Sequence, residues 1–147
     1  MSLHSYSKLW THLVWNTRNK QKVLPSKSVR KQLSEFLYNY SKEKGIYMKI
    51  NYVNQEHVHA LIDLPTNYTM EQVVKLFKGS SSHWINQNRI IPQKFYWGRG
   101  YGAFSVSESS VEKVAAYITN QEEHHKKLTF LEEYRNFMEK HKIKYCG

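Results

Sequence analysis

The stretch NQEHVHALIDLP, Asn54 to Pro65, carries two histidines at i and i+2. Read as a strand, it sets His57, His59, Leu61 and Asp63 on one face and Glu56, Val58, Ala60, Ile62 and Leu64 on the other. The second face is mostly apolar and is the one expected to bury, so the imidazoles should point away from the core. Their Cβ atoms would lie roughly 7 Å apart, close enough to grip one metal ion. The same pair also suits a plainer role, as solvated strand residues or as a core histidine with one hydrogen bond.

A metal site needs a further ligand, and a helical stretch near the C-terminus offers candidates. Tyr117 and Gln121 are spaced i and i+4 and share a face, with His124 near the same stripe and His125 rotated away. Imidazole is the better ligand for softer ions, whereas an amide oxygen suits magnesium or manganese. Spacing alone leaves Gln121 and His124 in competition. Tyr117 sits among Val114, Ala115 and Ile118, a setting that fits a core tyrosine as well as a reactive one. A metal beside a tyrosine on a basic surface points to phosphoryl transfer. The metal polarises the phosphate, and tyrosine attacks it to give a phosphotyrosine link. An ordinary tyrosine titrates near about pH 10, so it needs such a field to lose its proton.

The surface charge agrees with a phosphate-bearing partner. The 147 residues hold 22 Lys and Arg against 12 Asp and Glu, a formal charge of +10. Such a balance favours polyanions, nucleic acid first and an acidic membrane surface second. From Arg18 to Lys31 there are six basic residues and no acidic one. From Gln72 to Ser107 acidic residues are again absent, while Lys75, Lys78, Arg89, Lys94 and Arg99 alternate with Phe77, Trp84, Phe95, Tyr96, Trp97, Tyr101 and Phe104. Cations that follow a phosphate backbone, with aromatic faces for bases, hold single strands. Phe77, Trp84 and Phe104 suit a core equally well. Arg18, Lys20, Lys78, Arg99 and Tyr101 are the nominated DNA contacts, with the YWGRGYG turn foremost.

No run approaches the roughly 18 apolar residues of a membrane span, and MSLHSYSKLW does not read as a signal peptide. A lone cysteine, Cys146, allows neither an intrachain disulfide nor a thiol-based metal site. The expected compartment is a reducing cytoplasm. The length suits one domain over residues 1–147.

The elements that must position these groups follow from patterning. SYSKLWTHLVWNT alternates, with Leu9, Thr11, Leu13 and Trp15 opposite Trp10, His12 and Val14, and reads as a first strand. After Pro25 comes a helix with Val29, Leu33, Phe36, Leu37 and Tyr40 on one stripe, stopped by Gly45. IYMKINYVN is a second strand, in a hairpin with the histidine strand. Thr69 and Gln72 form a capping box for a helix burying Val73, Val74, Leu76 and Phe77, extended to Trp84 and Ile85. A linker around Pro92 and a glycine-rich turn precede a fourth strand. Ser109 with Glu112 should cap a helix running through VEKVAAYITNQEEHHKK, and Thr129 with Glu132 a last one. The order β-α-β-β-α-β-α-α predicts an α+β fold. Its first six elements form a ferredoxin-like split β-α-β antiparallel sheet with helices on one face, followed by C-terminal helices carrying the tyrosine. The uncovered face is where His57 and His59 should lie.

EHVHALIDLP, LFKGSSSHWIN, YWGRGYGAFSVS and VAAYITNQEEHH occur in this order, after the opening YSKLWTHLVWNTRNK. In that succession the chain resembles the single-tyrosine HUH transposases of the insertion-sequence 200/605 group, from about Tyr6 to Ile143. The resemblance implies that His57 and His59 are metal ligands, that Gln121 completes the magnesium or manganese site, and that Tyr117 is the nucleophile. It implies an enzyme that binds hairpins in single-stranded DNA, cleaves the strand with the 5′ end held on tyrosine, and rejoins different ends. It further implies a homodimer in a prokaryotic cytoplasm, nucleoid-associated when on DNA. Two other readings are a relative that binds hairpins without cutting and a hydrolase acting through water. The chain departs from its relatives in closing soon after Tyr145, which leaves every named site residue in place.

Overall fold

The structure is a computed structural model describing residues 6–121. The expected cap at Thr129 and Glu132, the last helix, His124, His125 and Cys146 lie outside the described residues. The described residues form four strands and three helices, in the order β1 (Trp10–Asn16), α1 (Lys27–Glu43), β2 (Tyr47–Val53), β3 (His57–Asp63), α2 (Met70–Gln87), β4 (Gly102–Ser105) and α3 (Val111–Thr119). Short 3-10 turns occupy Arg18–Lys20 and Glu108–Ser110. The sheet order is β2-β3-β1-β4, with every neighbouring pair antiparallel. That is the split arrangement, in which β1 and β3 are central and the histidine strand has partners on both edges.

One face of the sheet meets α1 and α2. Leu13, Trp15, Val58, Ala60 and Ile62 from the strands pack with Leu33 and Leu37 of α1 and Val73, Val74 and Phe77 of α2. Trp15 stacks parallel to Phe77 with ring centroids 6.2 Å apart. Two caps hold these helices. Ser26 Oγ accepts from Val29 N, and at α2 both arms of the expected box form: Gln72 N donates to Thr69 Oγ1 at 3.1 Å and Thr69 N to Gln72 Oε1 at 2.8 Å. Gly45 ends α1 at φ +71°, a backbone region that favours glycine.

The opposite face is covered by α3. Trp10, Leu61 and Val106 pack there with Val111, Val114, Ala115 and Ile118. The face bearing the histidines is therefore not open to solvent, contrary to the expectation from alternation. Alternation identifies two faces but says nothing of a later helix folding onto the second one.

The cap at α3 also differs from expectation. Ser109 lies inside the 3-10 turn, which Ser110 N closes by donating to Ser107 O at 2.9 Å. The residue at the cap position is Ser110, at φ −103° and ψ −3°, with no side-chain cap bond. That is not the extended backbone a side-chain cap requires. Glu112, freed from the box, pairs instead with Lys49 at 3.0 Å and ties α3 to β2.

Lys49 also marks a bulge. Met48 pairs with Ile62 but Ile50 with Leu61, so one residue of β2 is extra. The insertion switches parity: Met48 joins the α1–α2 core, while Ile50 and Tyr52 join the cluster under α3.

Candidate active site

β3 brings His57 and His59 to the face beneath α3, and both are buried, at 0% and 3% exposure. Burial of two imidazoles requires hydrogen-bond partners, and each ring has one on its Nδ1 side. Glu56 Oε1 lies 2.8 Å from His57 Nδ1 and accepts its N–H. His12 Nε2, from β1, lies 2.9 Å from His59 Nδ1. With these contacts orienting both rings, the two Nε2 atoms converge to 3.1 Å.

Neither orienting residue was singled out by the sequence. Glu56 reads as the one polar member of an otherwise apolar face, yet it is buried just before β3 and turns to the neighbouring histidine. His12 shares a face with Trp10 and Val14, which is visible in the alternation. Its approach to His59 depends on the register that pairs Val14 with His59 and Asn16 with His57, and neither strand alone encodes that pairing.

α3 delivers Tyr117 to the same place. Its ring centroid is 6.1 Å from that of His59 and 6.3 Å from that of His12, both edge-on. The single chain thus brings its own tyrosine to its own histidines. The helix does not run on as a straight rod. Asn120 adopts φ −92° and ψ 23° and donates to Ala116 O, closing α3 one residue before Gln121. Gln121 is nevertheless fully buried beside the cluster. Its Nε2 donates to Tyr117 O at 3.3 Å, and its Oε1 accepts from Asn54 Nδ2 at 3.4 Å. Asn54 Nδ2 lies 3.0 Å from His57 Nε2. His57, His59, Tyr117 and Gln121 are therefore assembled together, with Asn54 among them.

The two Nε2 atoms are close enough to share one divalent cation. Adjacent corners of an octahedron with bonds of about 2.1 Å are separated by about 3.0 Å. A tetrahedral zinc site of similar bond length would ask for about 3.4 Å. At 3.1 Å, a hydrogen-bond contact, the two Nε2 atoms are close enough to serve one ion in either geometry. Among the described residues no group of three His, Cys, Asp or Glu side chains is disposed to hold one ion. Beside the two imidazoles, Gln121 offers an amide oxygen, a donor that magnesium and manganese accept.

Three of the nominated DNA contacts, Arg18, Lys78 and Tyr101, line two clefts beside the 95–101 loop. A cleft of about 740 Å³ between α2 and the 95–101 loop is lined by Lys75, Lys78, Tyr96, Trp97 and Tyr101 among others. A second, of about 340 Å³, is lined by Arg18 and Lys94 and shares Phe95 and Tyr96 with the first. Arg18 and Lys94 both approach the ring of Tyr96, at 4.7 and 5.4 Å from its centroid. Arg99 and Lys20 are exposed. Lys78 Nζ donates to Gly100 O at 2.8 Å, and burial pushes its pKa below the ordinary lysine value. The aromatic residues divide. Phe77, Phe95 and Phe104 are buried and Trp84 and Trp97 half-buried, whereas Tyr96 and Tyr101 are exposed.

The loop and the histidines are anchored to the same two residues of β1 and its exit. Asn16 pairs with His57 in the sheet, and its carbonyl accepts from Gly98 N at 2.8 Å. Thr17 N donates to Glu56 O, and Thr17 bridges Trp97.

Comparison with known proteins identifies the family and the fold. A family described as "Transposase IS200 like" matches residues 5–121. Among solved structures, a presumed transposase from Deinococcus radiodurans R1 is 25% identical, with a TM-score of 0.63 over 82% of this chain and 96% of its own. A REP-associated tyrosine transposase solved bound to a REP hairpin is 16% identical, with a TM-score of 0.59 over 85% of this chain and 74% of its own. No curated protein matches the chain.

Proposed function

The chain belongs to the IS200-like transposase family, and from that premise we propose that it is a metal-dependent transferase of single-stranded DNA, with residues 1–147 acting as one domain. The observation that carries this reading is the convergence of His57 and His59 Nε2 to 3.1 Å beside the Tyr117 ring. His57, His59 and Gln121 would hold a magnesium or manganese ion. Such an ion supplies Lewis acidity to the scissile phosphate and offsets charge on its oxygens.

The chain's own groups do the rest. Glu56 and His12 keep the two imidazoles oriented with Nε2 inward. Tyr117 loses its phenolic proton, and its oxygen attacks phosphorus. The bond from phosphorus to the 3′-oxygen breaks, and that oxygen leaves as a hydroxyl after taking a proton. The 5′ end remains on Tyr117 as a phosphodiester. Attack by another 3′-hydroxyl reverses the step and restores the phenol, so rejoining needs no external energy source.

The DNA would run from this cluster along the clefts at the end of the sheet, with Arg18, Lys20, Lys78 and Arg99 on phosphates and Tyr101 on a base. Recognition of a hairpin is supported by the structural neighbour solved with one, and a homodimer by the family. Among the described residues no helix is long and apolar enough to cross a membrane. Action on DNA in a prokaryotic cytoplasm is part of the proposal.

Incubation with labelled single strands and manganese, followed by denaturing electrophoresis, tests the reading. The expected product is a protein-linked label that disappears in Tyr117→Phe while hairpin binding is retained. Cut DNA with no linked label would establish hydrolysis through water, and binding without cutting a silent hairpin-binding protein; either overturns the proposal.

A further inference from the structure

Asn54 lies in the turn between β2 and β3 and is 5% exposed. Its backbone N–H donates to His57 O at 2.7 Å and closes the turn. The side chain is not needed for that bond. It is directed instead into the site, where Nδ2 lies 3.0 Å from His57 Nε2 and 3.4 Å from Gln121 Oε1. These are two of the atoms assigned above to the cation. A carboxamide at this depth must have polar partners, and the ones it has are the ligand atoms themselves.

The two ends of a carboxamide are nearly the same size and exchange by a half-turn about χ2. With nitrogen inward, Asn54 donates to two acceptors, His57 Nε2 and Gln121 Oε1. A cation brought to those acceptors would meet N–H dipoles pointing the wrong way. The half-turn removes that conflict and presents Oδ1, a hard oxygen donor of the kind that magnesium and manganese take. We propose that Asn54 is a ligand of the divalent cation, its Oδ1 joining His57, His59 and Gln121 in a set of two nitrogens and two oxygens. This rests on the reading that the histidine pair holds the cation.

Binding of Mn²⁺ to the chelator-treated full chain, followed by the electron paramagnetic resonance signal of free Mn²⁺, separates the two ideas. His57→Ala should abolish saturable binding. If it binds as the wild type does, the histidine site itself is misassigned. Asn54→Ala should weaken binding by roughly tenfold or more, and Asn54→Asp, which offers an anionic oxygen from the same place, should restore or exceed wild-type affinity. Were Asn54 only a donor that competes with the cation, Asn54→Ala would bind as tightly as the wild type or more so. That result, with His57→Ala still inactive in binding, overturns the present inference alone. Circular dichroism checks folding. Should Asn54→Ala not fold, Asn54→Asp decides, since affinity below wild type overturns the assignment.

Discussion

Glu56→Gln isolates the charge of a buried carboxyl group next to the proposed metal site. In the wild type, Glu56 Oε1 accepts from His57 Nδ1 at 2.8 Å, and both side chains are buried. Glutamine has nearly the same shape and retains an oxygen able to accept, so the start of β3 should not collapse. What is lost is the charge on the acceptor. Hydrogen bonds to charged groups contribute about 1.5–3 kcal/mol and neutral ones about 0.5–1.5, so the difference is about 1–1.5 kcal/mol. Converted at about 1.4 kcal/mol per decade, that predicts Mn²⁺ affinity lower by about tenfold, the low end of what outer-sphere partners of ligand histidines usually contribute. Metal-free stability should move little, because the substitution also removes the cost of burying a carboxylate. Calorimetric titration of the full chain with Mn²⁺, beside a thermal melt without metal, reads both quantities. Wild-type affinity in a variant with an unchanged melt would refute the claim that the charge on Glu56 strengthens His57 as a ligand.

Other consequences are equally direct. A Cβ at Gly98 would meet Thr17 O at 3.0 Å and Asn16 Nδ2 at 3.1 Å. Gly98→Ala should therefore cost about 1–3 kcal/mol, a fall of several degrees in a melt, and an unchanged melt would mean that the loop shifts freely off β1. Lys78 has a lowered pKa, so between that value and the ordinary one the unfolded chain binds more protons and stability rises with pH. Lys78→Gln should flatten that slope, keep or raise stability near neutrality, and reduce the salt dependence of DNA binding by about 0.7–0.9 in log–log slope if one phosphate contact is lost. Mixing His57→Ala with Tyr117→Phe protein should restore no cleavage, since each chain here places its own tyrosine on its own histidines; recovery toward about a quarter of wild-type activity, the share of intact sites if exchanging chains swap helices at random, would contradict that arrangement.

Much of the fold was legible because local rules and tertiary packing agree in α1, α2 and the hairpin. Thr69 and Gln72 form their box, Gly45 takes the left-handed conformation, and the alternation in β1 separates Leu13 and Trp15 from Trp10, His12 and Val14 as observed. The departures arise where a distant element decides. The bulge at Lys49 shifts Ile50 and Tyr52 to the face that α3 covers, although their spacing from Met48 reads as one continuous stripe. Ser109 and Glu112 have the spacing of a capping box, but the 3-10 turn and the pairing of Glu112 with Lys49 use those residues otherwise.

The site divides along the same line. His57 and His59 were visible because period-two spacing on a strand points two side chains to the same face, and Tyr117 with Gln121 because four residues are about one helical turn. His12, Asn54 and Glu56 were not, since each reaches the cluster through something other than its own spacing: a register between β1 and β3, a turn, and a side chain leaving the face that alternation assigns to it. These three are also the residues that make burial of the imidazoles tolerable. A histidine pair open to solvent would need no such partners, and its rings would sample many rotamers before a cation fixed them. Beneath α3 the rings are held by Glu56 and His12 before any ion arrives, so less ordering remains to be done on binding. The covering helix that local patterning did not foresee is thus what makes the orienting residues necessary, and it is also the element that carries the tyrosine.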